Sequence, residues 1–215
     1  MTGTEQPLPV TVLISGGGTN LQALIDGAAA GQPYRIANVI SNRPGVYGLV
    51  RAQRAEIPTR VIDHTEYPSR EAFDATLGDA VEAGAPGLVV LAGFMRILTR
   101  DFVARFAGRM LNIHPSLLPA FQGLHTHRRA LEAGVSEHGA SVHFVTDELD
   151  GGPVIAQARV PVAAGDDEKT LAARVLQREH QLLPQVVRWF AEGRLRLTGG
   201  QVWFDDRALD APLQI

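Results

Sequence analysis

Val10-Thr11-Val12-Leu13-Ile14 runs directly into Ser15-Gly16-Gly17-Gly18-Thr19-Asn20. The first stretch is mostly apolar and rich in β-branched residues, which reads as a strand buried in a sheet. The glycines stop it. Thr19 or Asn20 then starts a helix through Leu21, Leu24 and Ile25, whose spacing places them on one helical face. Strand, glycine turn and amphipathic helix together open a βαβ unit, so a parallel sheet is expected to follow.

The pattern repeats outward from there. Residues 36–40 form a second strand, stopped by Ser41-Asn42-Arg43-Pro44-Gly45, and a helix follows to about residue 55. A short strand at 59–62 precedes a helix over 70–83, with Phe73, Leu77 and Val81 at four-residue spacing. Leu88-Val89-Val90-Leu91 is the continuous apolar run of a central parallel strand, and a short helix at 100–106 leads to a strand at 110–113. This βαβαβα order predicts an α/β fold: a doubly wound, mostly parallel twisted sheet with helices on both faces.

The second half changes character. Residues 140–145 and 153–161 read as strands joined through Asp150-Gly151-Gly152, so the C-terminal half should hold antiparallel strands. A long helix is expected over 167–192, with Asp166, Asp167 and Glu168 suited to its N-terminus and Pro184 kinking or breaking it. Residues 195–204, centred on Gly199-Gly200, form a terminal hairpin. Residues 1–9 read as a short frayed leader. With no linker or repeat, residues 1–215 read as a single domain.

Composition narrows the function. At 215 residues, 45% hydrophobic, the chain has the ordinary make-up of a globular domain. A net charge of −3 and a pI near 6.2 leave no electrostatic footprint for nucleic acid. The absence of cysteine excludes thiolate nucleophiles and cysteine-ligated metals. No apolar run approaches the roughly 18 residues of a membrane span, and the N-terminus lacks a signal region. A cytoplasmic protein that handles small molecules, as monomer or homodimer, is the expectation.

Chemistry concentrates in Leu111-Asn112-Ile113-His114-Pro115-Ser116-Leu117-Leu118-Pro119. On a strand, residues i and i+2 share a face, so Asn112 and His114 point the same way. An amide donor beside a group that titrates near neutrality suits a carbonyl carbon becoming tetrahedral. Taken alone, such a pair is an ordinary polar strand end. The glycine turn at 15–20 can surround a phosphate with backbone N–H groups at a helix start. It is not a P-loop, since no Lys-Ser or Lys-Thr follows, and it is a poor dinucleotide fingerprint, since Leu21 stands where the third glycine belongs. Arg43 at a 2′-phosphate would fit an NADP reading, and a non-catalytic nucleotide-binding module of Rossmann type is a separate alternative. In Val145-Thr146-Asp147-Glu148-Leu149-Asp150, one carboxylate could be brought to His114, and spacing does not choose among Asp147, Glu148 and Asp150. Leu91-Ala92-Gly93-Phe94-Met95-Arg96-Ile97-Leu98 leaves a central strand at the edge where open α/β sheets bind ligands. His125 and His127 stand two apart, but no third ligand accompanies them, so no metal is expected. His64, His138, His143 and His180 find no partner in the sequence.

These stretches, with Ile14-Ser15-Gly16, Thr19-Asn20-Leu21, Gly123-Leu124-His125-Thr126-His127 and Asp147-Glu148-Leu149-Asp150-Gly151-Gly152-Pro153, resemble the folate-dependent formyltransferases. The resemblance spans residues 12–197. It implies 10-formyltetrahydrofolate as co-substrate and glycinamide ribonucleotide as formyl acceptor in purine biosynthesis. It implies Asn112 and His114 as the catalytic pair, with Asp150 as the carboxylate that keeps the histidine charged. It also implies that Gly18, Thr19 and Asn20 cradle the substrate phosphate and Glu179 contacts its ribose. Arg70, Met95, Arg96, Ile97, Leu98, Asn112, Thr146, Asp147 and Asp150 are the implied folate positions. Within the family, hydrolysis of the formyl-folate is the rival activity, but its enzymes add an N-terminal domain for which residues 1–9 leave no room. Formylation of methionyl-tRNA would need a basic surface. Two departures stand out. Gly17 replaces a common Asn, and Gln122 replaces a common proline, which predicts a looser loop at 121–123.

Overall fold

The computed structural model describes residues 6–215. In order, the elements are β1 (Leu8–Ile14), α1 (Thr19–Ala29), β2 (Tyr34–Ser41), α2 (Tyr47–Arg54), β3 (Thr59–Val61), α3 (Arg70–Ala83), β4 (Leu88–Leu91), α4 (Arg100–Arg105) and β5 (Met110–His114). The second half adds α5 (Thr126–Glu132), β6 (Glu137–Phe144), β7 (Val154–Pro161), α6 (Glu168–Ala191), β8 (Leu195–Thr198), β9 (Gln201–Phe204), β10 (Arg207–Ala208) and β11 (Leu213–Gln214).

Eight strands make one sheet in the order β11-β7-β6-β5-β4-β1-β2-β3. From β3 to β5 all pairs are parallel. Strand order reverses between β1 and β4, the switch point where such sheets open a crevice at their carboxyl edge. The next pairs, β5 with β6 and β6 with β7, are antiparallel, and β11 then joins β7 in parallel. The remaining strands, β8 to β10, form a small antiparallel sheet of their own.

Alternation along β1 explains the layers. Val10, Val12 and Ile14 pack on one face with Leu21 and Leu24 of α1 and Val175 and Leu182 of α6. Leu13 points to the other face, with Phe73, Leu77 and Val81 of α3 and Phe102 of α4. Both faces are covered, which is why the parallel strands read as unbroken apolar runs.

Two sequence expectations change, and two elements were not foreseen. Residues 8 and 9 belong to β1, where Leu8 pairs with Tyr34, so the leader is shorter than expected; residues 1–5 lie outside the described residues. Pro184 does not break α6, which runs unbroken for 24 residues. Its missing N–H costs one ladder bond, but Leu182, Leu183, Val186 and Val187 are fully buried on either side and hold the helix to the sheet. The short polar helix α5 carries too few apolar residues for a periodic signal: only Thr126 and Ala130 are buried. The two-residue strand β11 is likewise too short to have been read.

Candidate active site

Parallel pairing of β4 with β5 brings Asn112 beside Leu91 at the carboxyl edge. Antiparallel pairing with β6 then sets Asn112 against His143 and His114 against Ser141. The turn leaving β6 returns Asp150 to the same place, in left-handed backbone conformation (φ 49°). Asp150 is the hub. Its Oδ1 lies 3.5 Å from Asn112 Nδ2 and 3.8 Å from His143 Nε2. Its Oδ2 lies 3.5 Å from His114 Nδ1 and accepts the Gly123 N–H at 2.9 Å. The carboxylate is 9% exposed, so these contacts act in a poorly hydrated setting.

The two histidines differ in role. His143 Nδ1–H donates to the Phe144 carbonyl at 2.9 Å, leaving Nε2 to accept from Asn112 Nδ2 at 3.1 Å. Burial holds the His143 pKa below the ordinary imidazole value, which suits a neutral acceptor. His143 thereby orients the Asn112 amide, with Nδ2 turned inward. His114 Nε2–H donates to the Phe121 carbonyl at 3.1 Å, so its Nδ1 is the atom that faces Asp150. A lone pair opposite a carboxylate would be repulsive, and a proton between them satisfies both. Asp147 makes no such approach: it pairs with Arg100 at 3.7 Å on the surface. The choice that spacing left open among Asp147, Glu148 and Asp150 thus falls geometrically on Asp150.

A shallow cleft opens beside this cluster. Leu91, Phe94, Ile97, Leu98 and Val145 give it apolar walls, and Asn112, His143 and Asp150 form part of its lining. Arg96, Thr146 and Asp147 line it too. Apolar and polar residues share the lining evenly, so the cleft can pack a flat ring while its polar groups fix orientation. Met95 is 60% exposed beside the cleft, and its N–H is held by Ser15 Oγ at 2.8 Å. Arg70 stands at the start of α3, paired loosely with Glu71 at 3.9 Å, outside the cleft lining.

The glycine turn is a second candidate subsite. Gly18 precedes α1 in left-handed conformation (φ 69°) and no side chain caps the helix, leaving first-turn N–H groups for a ligand. Asn20 Nδ2 donates to Glu179 Oε2 at 2.6 Å, joining α1 to α6 across 159 residues. Burial raises the Glu179 pKa, and the Asn20 bond only partly offsets this. Asn20 Oδ1 is buried without a partner, an acceptor ready for a ligand hydroxyl. Arg51 buttresses the turn by donating to the Gly17 carbonyl at 2.8 Å.

Two features escaped sequence reasoning. His143 joins the site only through the β5–β6 register, and its position opposite Asn112 in an antiparallel pair was the sole available signal. The 121–123 loop is not loose. Gln122 Nε2 donates to the Asp150 backbone carbonyl at 3.1 Å, a bond that a proline there could not make. His125 and His127 gather no metal set; among the described residues no group of three or more candidate ligands exists.

Polar groups meeting at the carboxyl edge of a doubly wound sheet, an adjoining cleft and an uncapped helix start describe the site of a group-transfer enzyme that acts on small molecules. Residues 8–187 match the formyl transferase family model, and the chain belongs to that family. It is 53% identical to the phosphoribosylglycinamide formyltransferase of Escherichia coli (strain K12), over 93% of this chain and 95% of that one. The solved structure of the phosphoribosylglycinamide formyltransferase of Coxiella burnetii superposes with a TM-score of 0.94 at 52% identity, covering 97% of this chain and 99% of that one. A human relative named trifunctional purine biosynthetic protein adenosine-3 is 48% identical over 87% of this chain, which spans 19% of its length.

Proposed function

We propose that this single-domain chain transfers the formyl group of 10-formyltetrahydrofolate to the amine of N1-(5-phospho-D-ribosyl)glycinamide, a step of de novo purine biosynthesis. The observation that carries the reading is the sharing of one buried carboxylate, Asp150, between Asn112 and His114 at the mouth of the cleft. In this reading the cleft takes the folate, with Arg96, Ile97, Leu98, Thr146 and Asp147 along its walls and Arg70 and Met95 at its rim. The Gly18–Asn20 turn takes the phosphate, and Asn20 with Glu179 takes the ribose hydroxyls. No metal takes part.

The acceptor amine attacks the formyl carbon, and the carbonyl π pair moves onto oxygen. The Asn112 Nδ2–H and His114 Nδ1–H groups, each 3.5 Å from Asp150, then donate to that oxygen. Asp150 orients the imidazole while the oxyanion exists. The amine gives up a proton, directly or through water near Asp150. The intermediate collapses as the C–N bond to the folate nitrogen breaks, and that nitrogen takes a proton. Both substrates are small molecules. We place the enzyme in the cytoplasm, acting as a monomer or homodimer without nucleic acid or membrane; among the described residues no helix is long and apolar enough to cross a bilayer.

The test is an assay of formyl transfer from 10-formyltetrahydrofolate to glycinamide ribonucleotide, with water and methionyl-tRNA as competing acceptors. Transfer to the ribonucleotide at a rate far above hydrolysis is expected. Hydrolysis at an equal rate would overturn the assignment of the acceptor, and a purely nucleotide-binding module would turn over neither.

A further inference from the structure

The turn ahead of α5 touches both halves of the acid–base cluster. Phe121 offers its carbonyl to His114 Nε2, Gly123 gives its N–H to Asp150 Oδ2, and the Gln122 side chain holds the Asp150 backbone carbonyl. Three consecutive residues therefore set where the imidazole stands relative to the carboxylate. Their backbone is not self-supporting. Phe121 (φ 55°), Gly123 (φ 78°) and His125 (φ 57°) all adopt left-handed conformation. For the two that carry side chains this is a strained backbone, and such conformations persist only where the surroundings impose them.

Arg129, on α5, provides that restraint. Its Nη1 donates to the Gln122 carbonyl at 2.6 Å and reaches the Leu124 carbonyl at 3.4 Å. Its guanidinium carbon stands 5.7 Å from the centre of the Phe121 ring. One planar cation thus touches Phe121, Gln122 and Leu124, while none of its hydrogen bonds goes to His114 or Asp150. Helix α5 anchors it through buried Thr126 and Ala130. Arg128 next door only pairs with Glu132, at 4.0 Å.

We propose that Arg129 is a positioning residue of the formyl-transfer site. It holds the 121–124 backbone so that the Phe121 carbonyl and the Gly123 N–H keep His114 and Asp150 in register. The inference rests on the function proposed above. A fork-shaped guanidinium can grip carbonyls and lie over a ring at the same time; an ammonium is a point charge and cannot reproduce both contacts.

Four full-length proteins test it: wild type, Arg129→Met, Arg129→Ala and Arg128→Met. Arg129→Met should lower kcat by about tenfold, the scale of a small misplacement of reacting groups, with both KM values nearly unchanged. Added guanidinium at sub-denaturing concentration should partly restore Arg129→Ala, and Arg128→Met should match wild type. In NMR spectra the His114 Nε2–H proton should be protected from exchange in wild type and exposed in Arg129→Met. Wild-type kcat and an equally protected proton in a folded Arg129→Met would overturn the proposal. So would a loss of kcat accompanied by equal rises in both KM values and no guanidinium rescue, which marks general damage. If the wild type itself fails to transfer formyl groups, the proposed function fails, while the exchange measurement still decides whether Arg129 positions His114.

Discussion

Asp150 makes an uneven set of demands on its neighbours, and substitutions should expose them. Asn112→Ala and His114→Ala each remove a proton donor and should lower kcat by roughly 10²–10³. Asp150→Ala should do comparable harm, and the double variants should lose less than the product of the single losses, because the three groups act as a unit. Asp147→Asn is the control: its partner is Arg100 at the surface, so turnover should stay near normal. Steady-state kinetics on the four variants decide this, and a normal kcat for His114→Ala would remove the mechanism. Gly18 invites a different reading from the one the phosphate suggests. A Cβ there would stand 2.6 Å from the Gly48 Cα, in a left-handed backbone. Gly18→Ala should therefore lower the melting temperature, by about 1–3 kcal/mol of stability, as well as raise KM for the ribonucleotide. A rise in KM with unchanged melting would mean the glycine serves the ligand alone.

The packing of α5 against β6 contains a pair of histidines outside the chemistry. His138 is 1% exposed, its Nε2 lies 3.2 Å from His127 Nδ1, and its ring meets Phe121 edge-on. Burial, with help from His127 and His114, pushes its pKa down to about 4. The native state then binds fewer protons than the unfolded chain below the ordinary imidazole value of about 6.5. Stability should fall as pH drops from about 6.5 toward 4, by up to about 3 kcal/mol from this residue. Urea melts of His138→Phe between about pH 7 and 5 should show a shallower pH slope than wild type; equal slopes would count against a buried neutral His138. The elements themselves were legible to very different degrees. Leu88–Leu91 and the β1–glycine–α1 passage announce themselves because burial on both faces leaves apolar runs. Helix α5 has seven residues and little apolar content, and strands β10 and β11 have two each, too little for any periodicity to register. Pro184 misled because local helix rules ignore what a buried face contributes.

Over the whole molecule, the parallel half followed from alternation of strand and helix, while the reversal at β5–β6 did not. That reversal places His143 on Asn112 and returns Asp150 to His114, so the resemblance implied that Asp150 meets His114 although spacing alone did not, and the meeting of His143 with Asn112 was not readable. At the sheet's margin β11 pairs with β7 through Leu213 and Gln214, and Arg178 holds the Ile215 carbonyl. Deleting residues 212–215 should uncover the hydrogen-bonding edge of β7 and produce concentration-dependent self-association in sedimentation runs; a strictly monodisperse truncation would show that β11 guards nothing. The bond from Asn20 to Glu179 has a consequence in time. Synthesis proceeds from the N-terminus, and 159 residues separate the two partners. A nascent chain that has emerged as far as Asp150 already carries every group assigned to the chemistry, yet the carboxylate assigned to the sugar is still to be made. The growing polypeptide thus acquires the proposed reactive groups before the proposed ribose contact can form.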